Sequence, residues 1–200
     1  MDLYIRESLS ERPLLLLDEC IQEALKVSAP LPHAMNIATV KKDLKPTNRV
    51  VLLKSISDKG LVFVTDYQSA KGLDIAENPN VSVTFWWAQT NKQIRVEGDC
   101  IKVNAEFSDD YFLSRPRGSQ ISASVSNQSE EISSYDSLAD EAEKFSSLYK
   151  DKTIQRPERW GGYLLRPKRI EYWQDMPNRL HKRELFIKKG KEWQKIYLSP

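Results

Sequence analysis

Four stretches of the chain stand out for the chemistry their side chains could do. The first is Arg49–Lys71, RVVLLKSISDKGLVFVTDYQSAK. Arg49 and Lys54 bracket an apolar run, and Thr65, Ser69 and Lys71 fall where a helix to about Asn78-Pro79 should begin. Cations, hydroxyls and the unpaired N–H groups of a helix start together suit a phosphate. Basic side chains on a strand also serve as plain solvated surface, so the stretch alone suggests an anion site without proving one. The second is Tyr111–Gln120, YFLSRPRGSQ, where Tyr111 and Arg115 share a helical face and Ser119 follows the proline break. Those donors form either a second phosphate clamp or a helix end capped by its own serine and arginine. The third, Gln128-Ser129, lies in a polar loop and says nothing by itself. The fourth is Trp173 with Arg179-Leu180-His181-Lys182-Arg183, where strand alternation puts Arg179, His181 and Arg183 on one face.

What is missing narrows the chemistry. His33 and His181 are the only histidines, and no H-x-x-x-H pattern or acidic spacing supports a metal. No G-x-S-x-G elbow supports a nucleophilic triad. Two anion clamps without a hydrolytic or metal centre favour two phosphorylated ligands, a cofactor and a substrate, with the hard chemistry supplied by the cofactor.

The elements that must position these residues are mostly strands. Two hundred residues with 40% hydrophobic content suit one domain with a sizeable core. The 30 basic and 28 acidic residues nearly cancel, which argues against a general nucleic-acid binder. Cys20 and Cys100 form no C-x-x-C pattern and read as small buried residues. The N-terminal MDLYIRESLSERP has no apolar signal core, and no run reaches the roughly 18 apolar residues of a membrane span. A reducing cytoplasm is therefore expected.

In order, the pattern predicts a helix from Ser10 to about Val27 with Leu14, Leu17, Ile21 and Leu25 on its apolar face. A strand Ala34–Val40 and a hairpin Arg49–Val64 turning at Ser57-Asp58-Lys59-Gly60 follow. Next come a helix Ser69–Glu77, a strand Val81–Trp87, and a strand Gln93–Val103 with a bulge near Gly98. Helices are predicted at Ala105–Ser114, Gly118–Val125 and Ser137–Tyr149, with a loop at Ser126–Ser137. Four strands close the chain: Gly161–Leu165, Arg169–Trp173, Glu184–Lys188 and Glu192–Leu198. The fold class is mainly β: an antiparallel barrel or strongly curved sheet, with the helices inserted into it as one domain over residues 1–200. Within it lie an N-terminal helix region (1–33), a helical insertion (105–150) and C-terminal strands (160–200).

RVVLLK, SRPRGSQISASVSNQSE, WGGY, IEYWQ and RLHKR, in this order and spacing, resemble the pyridoxine (pyridoxamine) 5′-phosphate oxidase family from about Ala34 to Pro200. The resemblance implies an FMN-binding split β-barrel with packed peripheral helices, forming a homodimer with FMN at the interface. It implies that Arg49, Val50, Val51, Leu52, Lys54, Val64, Thr65, Ser69 and Lys71 hold FMN and that Gln93 reaches the flavin ring. Gln128 and Ser129 bind FMN from the other subunit, together with Trp173 and Arg183. Tyr111, Arg115 and Ser119 clamp the substrate phosphate, with Lys54 in contact. Arg179 and His181 cover and orient the pyridine ring and are the residues expected to be catalytic.

The implied reaction moves a hydride from substrate C4′ to flavin N5, and dioxygen then reoxidises the flavin to give hydrogen peroxide. The product is pyridoxal 5′-phosphate; in the amine case an imine hydrolyses and ammonia leaves. Two departures stand out. Ala70 sits where the family commonly has a phosphate-binding arginine, and the N-terminal arm is short for a lid. A phenazine-pathway flavin oxidase of the same fold is the nearest rival, and a phosphate clamp has no purpose in it. A non-catalytic module holding flavin or a vitamin B6 phosphate is the rival from another class.

Overall fold

The computed structural model describes residues 4–200. The first three residues of the N-terminal stretch lie outside it. Helix α1 (Arg12–Lys26) starts with Pro13 in its first turn, where a missing N–H does no harm. It buries Leu14, Leu17, Ile21 and Ala24. Burying each leucine contributes about 2 kcal/mol relative to exposure. Leu25, expected on that face, is exposed, because the face continues through Ala24 instead.

Ten strands form one sheet among the described residues. They are β1 (Ile5–Arg6), β2 (Ala34–Val40), β3 (Pro46–Leu52), β4 (Ser55–Ser57), β5 (Gly60–Asp66), β6 (Asn80–Trp87), β7 (Lys92–Lys102), β8 (Trp160–Gln174), β9 (Lys182–Lys189) and β10 (Glu192–Tyr197). The order is β1-β4-β5-β8-β7-β6-β2-β3, with β9 on β8 and β10 on β9. The sheet is antiparallel except where β1, which the sequence pattern did not reveal, pairs in parallel with β4.

The hairpin expected over Arg49–Val64 is built differently. Its turn is where expected, with Gly60 at φ +137° and Ser57 opposite Gly60. The first arm, however, is the short β4. Val50–Leu52 belong to β3 and pair with β2, Val50 opposite Asn36. The chain turns out of β3 at Leu53, whose N–H bonds His33 O at 2.9 Å. An unbroken apolar run does not show where a strand changes partner.

The two strands expected at Gly161–Leu165 and Arg169–Trp173 are one strand, β8. On one side it pairs with β7 from Tyr163 to Gln174, and the register shifts between Glu97 and Gly98. A Cβ at Gly98 would overlap the Arg166 carbonyl, so the expected bulge needs glycine there. On its other side β8 forks. Trp160–Leu165 pair with β5, and Arg169–Gln174 pair with β9.

Helices fill the connections: α2 (Ala70–Glu77), α3 (Ala105–Ser114), α4 (Arg117–Val125) and α5 (Tyr135–Leu148). The main core lies between α1 and the sheet. Phe112, Ile121, Ile154 and Trp160 form a second core under the inserted helices. Ala142 and Phe145 of α5 pack against it, whereas Leu148 is exposed. Both cysteines are buried and free.

Candidate active site

A cavity of about 780 Å³ opens between β3, β5, the start of α2 and the inserted helices α3 and α4. That is the size of an ordinary small-molecule site. It gathers Arg49, Val50, Val51 and Leu52 from β3, Lys54 just beyond it, Val64 and Thr65 from β5, and Lys71 from α2. Tyr111, Arg115, Ser119, Gln128 and Ser129 close the other side. Thus three of the four stretches meet in one place. Ser129 holds a left-handed backbone, φ +80°, a conformation that functional sites often retain.

Gln128 and Ser129 line the same cavity as Arg49 and Lys71 of this chain. Gln128 Oε1 accepts from Thr65 Oγ1 at 3.0 Å and from Lys71 Nζ at 2.9 Å. Lys71 Nζ also donates to Thr65 Oγ1 at 3.1 Å and Ser69 Oγ at 3.0 Å. Ser69 does not line the cavity. Its buried hydroxyl caps α2, accepting from Gly72 N and donating to Asp66 O at 2.7 Å.

Burial is the first cause of every cation's shift here. It pulls Lys71 down to about 8, with Arg49 adding to the fall and Asp66 opposing it. Arg49 is lowered by burial against the pull of Asp74. Lys54 is lowered by burial and then by Arg115. Arg115 is lowered by burial, with Tyr111 opposing. Four cations held below their ordinary values in one cavity favour an anionic ligand, which restores what desolvation removes. Asp66, the acid in the lining, is already committed, to Arg159 at 3.3 Å and to Gln68 N at 2.7 Å. Arg115 lies 4.6 Å above the Trp160 ring, and its Nη1 is buried without a partner. An unpaired buried guanidinium N–H is costly until an acceptor arrives. The donor set therefore fits a phosphorylated cofactor and a phosphorylated substrate. Ala70 also lines the cavity and adds no charge.

The fourth stretch lies apart. Gln93 and Trp173 are opposite each other on β7 and β8, and Trp173 faces Arg183 across β9. The His181 ring sits 4.7 Å from the Trp173 ring, with Nδ1 3.0 Å from Asp175. Arg183 is held by Glu171 at 2.8 Å and by the Ser199 carbonyl at 2.9 Å. None of Gln93, Trp173, Arg179, His181 and Arg183 lines the cavity. Neither Arg179 nor His181 is on the strand with Arg183 as alternation suggested, since β9 begins at Lys182. Pro177–Arg179 form a 3-10 turn, and Asn178 and Arg179 have φ of +58° and +62°. Proline at the head of the segment and two left-handed residues after it keep the chain out of β9 until Lys182.

Asp175 and Trp160 were not singled out from the sequence, and neither were the roles of Glu171 and Asp74. Asp175 follows the motif IEYWQ, and Trp160 opens the motif WGGY. Glu171 lies inside IEYWQ, while nothing around Asp74 marks it.

Comparison with known proteins gives a consistent answer. Residues 18–149 match the family described as pyridoxamine 5′-phosphate oxidase. Residues 160–200 match the pyridoxine 5′-phosphate oxidase C-terminal dimerisation region. The chain is 40% identical to a pyridoxine/pyridoxamine 5′-phosphate oxidase of Cyanothece sp., over 98% of this chain and 95% of that one. It is 46% identical to one of Christiangramia forsetii, over 84% and 78%. Among solved structures, PhzG of Burkholderia lata in complex with tetrahydrophenazine-1-carboxylic acid superposes with a TM-score of 0.90 at 28% identity, covering 96% and 94%. A pyridoxamine 5′-phosphate oxidase-related, FMN binding protein of Nostoc punctiforme shares the fold, with a TM-score of 0.72 at 18% identity over 91% and 96%. With both ends of its length matched, and with the cavity formed by the motifs that suggested it, the chain belongs to the pyridoxamine 5′-phosphate oxidase family.

Proposed function

We propose that the protein is an FMN-dependent oxidase that converts pyridoxine 5′-phosphate or pyridoxamine 5′-phosphate to pyridoxal 5′-phosphate, acting as a cytoplasmic homodimer. The observation that carries this reading is the convergence of Arg49, Lys54, Lys71 and Arg115 on one cavity, with a buried Arg115 N–H unpaired. Arg49, Thr65 and Lys71, with Gln128 and Ser129, hold the phosphate and ribityl chain of FMN. Lys54, Tyr111, Arg115 and Ser119 hold the substrate phosphate. When bound, FMN supplies the two-electron acceptor for oxidising the 4′-alcohol or 4′-amine to the aldehyde, and dioxygen takes those electrons to leave as hydrogen peroxide.

Arg179, His181, Trp173, Arg183 and Gln93 complete the site from the second subunit. Trp160 borders the cavity, and Trp173 lies thirteen residues further along β8. At roughly 3.3 Å per residue that is about 40 Å of strand, too far for both to serve one ligand in one chain. The match of residues 160–200 to a dimerisation region supports the same arrangement. Arg179, exposed on its left-handed turn, is free to face a neighbour, and Asp175 beside His181 orients the imidazole. These residues position the substrate ring and exclude water. Positioning of this kind supplies up to several kcal/mol.

The likeness to the Burkholderia lata structure favours a second reading, oxidation of an unphosphorylated ring. One assay separates the two. Purified protein should be yellow and should consume oxygen with pyridoxine 5′-phosphate but not with unphosphorylated pyridoxine. A protein that takes up no added FMN overturns the flavin reading, and equal rates on both substrates overturn the phosphate clamp.

A further inference from the structure

Arg49 does not hold its own position. Its Nη1 donates to Thr39 Oγ1 at 2.7 Å and its Nη2 to Thr47 Oγ1 at 2.6 Å. Both hydroxyls donate in turn to one oxygen, Asp74 Oδ2, at 2.6 Å from Thr39 and 3.2 Å from Thr47. Thr39 is fully buried and Asp74 nearly so. Neither lines the cavity, while Arg49 does. Asp74 itself stands 3.9 Å from the guanidinium, beyond direct hydrogen bonding.

The directions of these bonds decide the arrangement. A carboxylate only accepts, so each hydroxyl must spend its proton on Asp74 and turn its lone pairs to the guanidinium. One N–H on each terminal nitrogen is thereby fixed, and the planar fork has a single orientation. No other protein acceptor takes an Arg49 N–H among the described residues, which leaves donors for a ligand. The three anchors come from β2, β3 and α2, so the fork is referenced to the sheet and to the helix whose start supplies Lys71.

We propose that Thr39, Thr47 and Asp74 are positioning residues that aim Arg49 at the phosphate of FMN, so that phosphate affinity depends on a hydroxyl relay behind the cavity wall. The inference rests on the cofactor reading above. Asp74 also brings negative charge near the phosphate, so neutralising it would mix two opposing effects. The charge-neutral change Thr39→Val is the cleaner probe.

The experiment titrates apoprotein with FMN and with riboflavin, following flavin fluorescence, for the wild type, Thr39→Val, Thr39→Ser, Arg49→Ala and the double variant Arg49→Ala/Thr39→Val. Thr39→Val should weaken FMN binding about tenfold, the size expected for misaligning one charged hydrogen-bond donor. Riboflavin affinity should stay unchanged, and Thr39→Ser should bind FMN as the wild type does. The double variant should bind no more weakly than Arg49→Ala, since a residue acting through Arg49 has nothing left to position. Wild-type FMN affinity in Thr39→Val, equal losses for FMN and riboflavin, or fully additive losses in the double variant would each overturn the relay. A wild type that binds FMN no better than riboflavin overturns Arg49's phosphate role and the relay with it.

Discussion

Lys71 carries its charge in a place that resists it. Its pKa in the folded protein, about 8, lies below the ordinary 10.5 because burial outweighs Asp66. Between those values the unfolded chain holds a proton that the folded apoprotein has lost, so Lys71's contribution to apoprotein stability rises with pH across that window. Phosphate binding runs the other way, since it needs the ammonium. FMN affinity measured from about pH 7 to about pH 9.5 should fall as Lys71 deprotonates, and Lys71→Met should flatten that fall while weakening binding at neutral pH. For the substrate, Arg115→Leu should raise KM for pyridoxine 5′-phosphate roughly tenfold to a hundredfold, with a smaller change in kcat, in steady-state oxygen uptake. The cavity-lining residues were legible because their types announce chemistry: Arg49, Lys54, Lys71, Tyr111 and Arg115 all fall at the cavity. Thr39 and Asp74 were not, because a residue that acts by orienting another is visible only in its contacts. Gln128 was found by resemblance alone, since a polar loop does not say which of its residues fold back onto a cavity.

Among the elements, the bulge facing Gly98 carries the sharpest structural demand. Gly98→Ala places a methyl against the Arg166 carbonyl, and backbone on both strands must shift. The variant should lose about 1–3 kcal/mol in denaturant unfolding, with Cm reduced and the slope unchanged. Gly98 and Gly60 were both readable, one from the broken apolar phase around it and the other from the turn chemistry before it. Strand partners were not readable. Val50–Leu52 and Leu61–Val64 carry the same apolar texture, and only the structure reveals that the first joins β2 and the second joins β8. The β8 merger has the same origin: Arg166-Pro167-Lys168 interrupts the apolar pattern, yet the chain stays extended through Pro167 at the bulge.

At the scale of the molecule, the described chain keeps the cavity and the Trp173–His181 cluster apart. The cation-lined cavity sits at the β5 end of β8, and the Trp173–His181 cluster sits at the β9 end. In the homodimer proposed above, each cavity meets the other chain's cluster. Arg179→Ala should accordingly lower turnover strongly while leaving FMN bound, as absorbance of the purified variant would report.

In that proposed dimer the fork in β8 also makes defects separable by subunit. Arg115→Ala removes a cavity residue, and Arg179→Ala removes a residue of the distant turn. Each variant alone spoils both sites of its own dimer. In a mixed dimer, one site inherits both lesions and the other inherits neither. Assayed at pyridoxine 5′-phosphate well below KM, where both variants are nearly inactive, the two proteins unfolded together in equal amounts and refolded should thus recover about a quarter of wild-type activity by random pairing. A mixture as inactive as its components would mean that each chain builds its site alone.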